Sequence, residues 1–215
     1  MNTSRLRFAF CLAVCFAVAA CGPRYGMRVP NLVIEELPYE TRIELLEAEN
    51  DLAAAIDKRD EAENEVNRTR DAIRRAKERE GAAWREVGEA PDNRSREIAE
   101  LSVQEAQARV EYLRGAQDLN VLNLDLEELA LRCAFARFET SRLEVARKAK
   151  VRGSEALRPE DFANQLKACE QDLASRKTSR EEKQKSFAEV RKVWDDKKQA
   201  LAQKTFDARA SPYVE

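Results

Sequence analysis

Five cysteines and no histidine define the chemistry open to this 215-residue chain. Without imidazole there is no Ser-His-Asp or Cys-His catalysis, no usual nitrogen-ligand metal site and no common general base at neutral pH. Cys11, Cys15 and Cys21 crowd the start of the chain, and Cys133 and Cys169 lie far downstream. Neither downstream thiol belongs to a Cys-x-x-Cys pair, which argues against a redox-active dithiol. Three fates stay open for them: an intramolecular bridge, two buried free thiols, or a bond to another chain. The acidic pairs Glu35-Glu36, Glu127-Glu128 and Asp195-Asp196 are the other conceivable acid-base or metal centres. No His or Cys accompanies any of them, so they read as solvated faces. Arg68 to Arg79 alternates with Asp and Glu, and no Gly-rich phosphate loop exists. At the far end, Pro212, Tyr213 and Val214 offer a docking segment after a helix-ending proline, with a frayed terminus as the plainer reading. No cofactor and no catalysis are expected.

The first cysteines belong to a different pattern. Arg5 and Arg7 precede Phe8 to Ala20, thirteen residues without a charge, which is the size of a signal-peptide apolar region. That run is too short to span a bilayer, which takes about 20 residues. It closes on Val18-Ala19-Ala20-Cys21 followed by Gly22. This resembles the lipobox of bacterial lipoproteins, a branched apolar residue and two small ones directly before a cysteine. The resemblance implies a signal peptide over residues 1–20, alkylation of the Cys21 thiol by a diacylglyceryl group, and an acylated, palmitate-type N-terminus on Cys21 after cleavage. In that class an Asp after the cysteine holds the protein at the inner membrane. Gly22 therefore implies the outer membrane, and the expected orientation is toward the periplasm, with the cell surface as the alternative. Two or three acyl chains exceed what stable anchoring requires. A plain secretory signal cut after Ala20 is the rival reading, and the resemblance ends at about residue 22.

Loss of Arg5 and Arg7 leaves 36 basic against 40 acidic residues, a formal balance of −4. Nucleic-acid binding wants a basic excess and is not expected. In an oxidising envelope, the surviving pair Cys133 and Cys169 is a disulfide candidate.

The elements that would position these groups follow from composition. Charged residues make up 36% of the chain, with only 6 Gly and 6 Pro, against about 25% charge in an average globular domain. Such a chain should be mostly long helix. Pro23, Gly26, Pro30 and Pro38 make residues 21–39 an extended tether, whose seventeen residues from Gly22 to Pro38 reach up to about 55 Å. The apolar Leu32-Val33-Ile34 can instead dock, on its own helices in the plainer reading or on a partner strand in the other.

Turn signals at Gly88 to Asn93 and at Gly153-Ser154 divide the rest into three helices at about 40–88, 93–151 and 159–208, followed by a tail over 209–215. The expected fold class is all-α, an elongated antiparallel three-helix coiled-coil bundle. The second helix should be central because its leucines and phenylalanines cover several faces. Alternation through Leu119 to Leu126 hints at a strand, but its neighbours have helical spacing. Trp84 and Trp194 fall on the seams of the first and third helices and read as core. Ala174 to Ser186 is nearly all polar and should be the weakest stretch.

If Cys133 faces Cys169, antiparallel partners have residue numbers summing to 302. That register puts Gly115 by Phe187, Tyr112 by Val190 and Ala108 by Trp194, so small meets large. A turn centred near 156 gives about 312 instead, separating the cysteines by about 15 Å, beyond the roughly 7 Å a disulfide allows. An early end to the second helix reconciles the two.

The functional expectation is a lipid-anchored envelope protein, acting as scaffold, spacer or assembly subunit through helix-mediated contacts with another envelope protein. The alternatives are a periplasmic holdase chaperone for outer-membrane proteins, or an adaptor subunit of an export or motility machine. Polar interruptions in the first and third seams fit either a monomer or a surface completed by a second copy.

Overall fold

The computed structural model describes residues 26–206. Cys21, the signal segment and the tail residues Pro212, Tyr213 and Val214 lie outside them. The fold is all-α, with no strand among the described residues. Two short helices, α1 (Asn31–Glu35) and α2 (Tyr39–Arg42), lead through a 3-10 turn (Ile43–Leu45) into α3 (Leu46–Glu89). α4 (Asn93–Lys148) and α5 (Pro159–Thr205) follow, joined by a connection that holds a 3-10 turn at Ser154–Ala156. The alternating Leu119 to Leu126 stretch lies inside α4 and is helical. No helix of the described residues is long and apolar enough to cross a membrane.

The helix ends have local causes. The Ser95 backbone N–H donates to the Asp92 carboxylate at 2.8 Å, capping the start of α4. Pro159 opens α5, where its missing N–H costs nothing, and Glu160 and Asp161 follow in the first turn. α4 stops at Lys148 rather than at 151. The Val151 N–H donates to Ala146 O at 3.0 Å and the Lys150 N–H to Arg147 O at 3.0 Å, the two bonds of a Schellman turn. Lys150 takes the left-handed position that glycine usually fills, with φ 54°, and Val151 folds back into the core. Gly153, at φ 89°, completes the reversal.

The chain divides into two compact units. The first comprises the described part of residues 1–50 together with 132–172. Its core joins Val29, Val33 and Leu37 to Leu143, Ala146 and Phe162. The extended part of the expected tether is corrected here, since from Gly26 onward the chain is a docked strap containing a helix; Val33 and Ile34 pack on the unit's own helices, as the docking reading has it, while Leu32 is exposed. Pro30 caps α1 and Pro38 caps α2, positions where a proline breaks no hydrogen bond. Val29, Val33 and Leu37, four residues apart, supply the apolar face that holds the strap down.

The second unit comprises residues 51–131 and the described part of 173–215. Ile73 and Ala76 of α3 pack on Val110 and Leu113 of α4, and Ala83 packs on Val103 and Ala106. Trp84 is 54% exposed, which corrects its expected core position. The seam runs through Ala62, Val66, Thr69, Ile73, Ala76 and Ala83, so Ala83 faces inward and the neighbouring tryptophan is turned outward. Ile56 is outward as well. Trp194 is buried as a centre of this unit. Its indole N–H donates to Glu105 at 2.9 Å, its ring stacks on Tyr112 at 4.6 Å, and the Arg109 guanidinium lies 5.2 Å from its centroid. Gly115 faces Phe187 so closely that a Cβ there would stand 3.0 Å from the ring. Ion pairs from Asp118 to Lys183 and from Glu97 to Lys204 have nearly the same number sum, as the 302 register requires.

Candidate functional site

α4 brings Cys133, and the first turns of α5 bring Cys169, to a Cα separation of 5.5 Å, and their sulfurs are bonded. Both residues are essentially fully buried. The bridge closes a loop with a sequence separation of 36 that includes the Schellman turn and Gly153. It fixes the two helices on which the strap lies.

The strap is held by polar groups that the sequence does not advertise. An extended backbone laid across helices has N–H groups that neither helix nor sheet can satisfy. Gln165 on α5 accepts from the Met27 N–H at 2.9 Å. Glu139 on α4 accepts from the Val29 N–H at 2.7 Å. The other Glu139 oxygen pairs with Arg142 at 2.7 Å, with both side chains largely buried. Arg142 also donates to the Asn31 side chain at 3.0 Å and lies 5.5 Å from the Phe138 ring centroid. The chain emerges at Gly26 beside a hollow of about 210 Å³ that includes Arg28, Arg132, Phe135, Glu139 and Gln165 in its lining. The only sequence signal for Glu139 is a charge close to the apolar stripe of Leu129, Cys133, Ala136 and Leu143.

The acidic pairs assemble no common site. Glu35, Glu36, Asp195 and Asp196 are exposed, and Glu127 and Glu128 are half-buried. Asp60, then Glu63 and more weakly Glu128, hold the Arg59 guanidinium above its ordinary range. Among the described residues no three His, Cys, Asp or Glu side chains are grouped to hold a metal ion. What the arrangement offers chemically is surface: charged helical faces with a few outward large apolar residues, of which Leu32, Tyr39, Ile43 and Leu46 belong to the first unit. In comparison with known proteins, no protein family, no curated protein and no solved structure matches this chain.

Proposed function

We propose that the chain is a non-enzymatic, lipid-anchored protein of the bacterial envelope, acting as scaffold, spacer or assembly subunit by presenting coiled-coil surface to a protein partner. The buried Cys133–Cys169 disulfide is the observation that carries the compartment, because such bonds persist in oxidising surroundings and are rare where thiols are kept reduced. The anchor rests on Val18-Ala19-Ala20-Cys21 and the outer-membrane placement on Gly22.

The docked strap changes what such an anchor does. Val29 is core, and only seven residues lie between it and Cys21, at most about 29 Å of chain. The lipid then holds the first unit close to the bilayer surface instead of letting it roam on a long leash.

Intact mass of the mature protein extracted from envelopes, before and after reduction, tests this reading. The expected mass begins at Cys21 with acyl chains and gains two hydrogens on reduction. A mass without lipid removes the anchor, and a mass unchanged on reduction removes the disulfide argument.

A further inference from the structure

We infer that the first unit carries a docking stripe, Tyr39, Ile43 and Leu46, for a basic amphipathic helix of a protein partner. The backbone is helical from Tyr39 through Leu46. The i, i+4, i+7 spacing therefore puts the three side chains on one face. They are 76%, 53% and 51% exposed. Leu45 in the same turn is buried in the core, so this segment is firmly seated and still turns three large apolar residues outward.

The rim of the stripe selects the occupant. Glu40 and Glu47 flank it on one side and Glu49 on the other, all exposed. Among the described residues no ion pair engages these three carboxylates. Of the cations nearby, Arg42 is tethered to backbone carbonyls and keeps its charge while Lys148 is paired, so three carboxylates against one guanidinium leave the rim net acidic. Arg42 donates from Nε to Leu37 O at 3.1 Å and from its terminal nitrogen to Glu35 O at 2.7 Å. Lys148 pairs with Glu44 at 2.8 Å. An apolar stripe with an acidic rim is complementary to a helix with one apolar face bordered by Lys or Arg. It is mismatched to an anionic bilayer, which repels the rim. It is mismatched also to a second copy, because a two-fold contact would set the same carboxylates against one another.

The inference deepens the protein-contact part of the proposed function and rests on it, but it does not need the lipid. The test uses the full mature chain with Cys21→Ser, so a failure here leaves the mass measurement untouched. The probes are a labelled 18-residue Leu/Lys amphipathic peptide, the same pattern written in Leu/Glu, and vesicles of phosphatidylethanolamine with phosphatidylglycerol. The Leu/Lys peptide is expected to bind at least tenfold more tightly than the Leu/Glu peptide. Y39S/I43S/L46S should weaken that binding at least tenfold. E40Q/E47Q/E49Q, confined to exposed positions, should weaken it severalfold and flatten its salt dependence. Equal binding of the two peptides, or binding indifferent to both variants, overturns the inference. So does stripe-dependent binding to the vesicles, or self-association that the stripe variant abolishes.

Discussion

Glu139 shows how one side chain can decide whether a segment is domain or linker. Its two oxygens serve the Val29 N–H and the Arg142 guanidinium, and removing the carboxylate strands both in a largely buried place. Glu139→Ala should therefore cost about 3 kcal/mol and loosen the strap, so that trypsin cuts after Arg28 much faster than in the parent. Glu139→Gln, which keeps an acceptor, should lie between them. The cysteines make the opposite case for legibility. Their register was one of two that the sequence offered, and the Gly115–Phe187 match that the structure shows belongs to the 302 alternative, whereas Glu139 and Gln165 bond to backbone more than 100 residues away and leave no local pattern. Cys133→Ser with Cys169→Ser should lower stability by about 4 kcal/mol on the chain-entropy account of a loop this size. A denaturation midpoint indistinguishable from the parent would remove the bridge from the list of what stabilises the first unit.

At the scale of the element, three long helices were legible from Gly, Pro and Asp punctuation, and their boundaries failed where chemistry replaced punctuation. The end of α4 was misplaced because a lysine, not a glycine, takes the left-handed cap, and nothing in its side chain announces that. Lys150→Gly should raise stability by about 1 kcal/mol by relieving that conformation, and a lower melting temperature would contradict it. The start of α4 responds to acid. The Ser95 backbone N–H is the main cause holding the Asp92 carboxyl below its ordinary 3.8, so the charged cap is the form the folded helix favours. A depressed folded value means the cap contributes fully above pH 3.8 and fades as the pH falls through the lower value. Amide protection factors in the first turn of α4, referenced to the intrinsic exchange rate at each pH, should fall below that pH in the parent, while Asp92→Asn should show a flatter profile. The tryptophans separate α3 from α5 in the same spirit. Trp84→Gln should change stability by less than about 0.5 kcal/mol, and Trp194→Ala by about 3–5 kcal/mol. The large apolar residue on α3 was the misleading signal, since Val66 and Ile73 are buried as expected but the last seam position before the turn is filled by Ala83, which a search for bulky side chains passes over.

For the molecule as a whole, the consequential difference between sequence and structure is the strap. Proline density alone says extended and free, yet prolines placed at helix caps interrupt nothing, and the Val29, Val33, Leu37 spacing then outweighs them. This makes residues 26–45 part of a domain whose helices are joined by the disulfide. Redox state and strap seating should accordingly be linked within the first unit. Reduction frees Cys133 and Cys169, lets the ends of α4 and α5 that hold Glu139 and Gln165 separate, and removes the geometry in which both can reach the strap. Hydrogen exchange measured with and without reductant should rise most over residues 26–50 and 132–172. Within the second unit Trp194, Glu105 and Tyr112 pack without a disulfide, so its exchange should change little. Residues 174–186 should exchange quickly in either state, because their exposed polar side chains give that part of α5 little to pack against. Uniform acceleration over both units would mean that the bridge governs global unfolding, and protection of the strap that survives reduction would place its seating in the Val29, Val33 and Leu37 contacts alone.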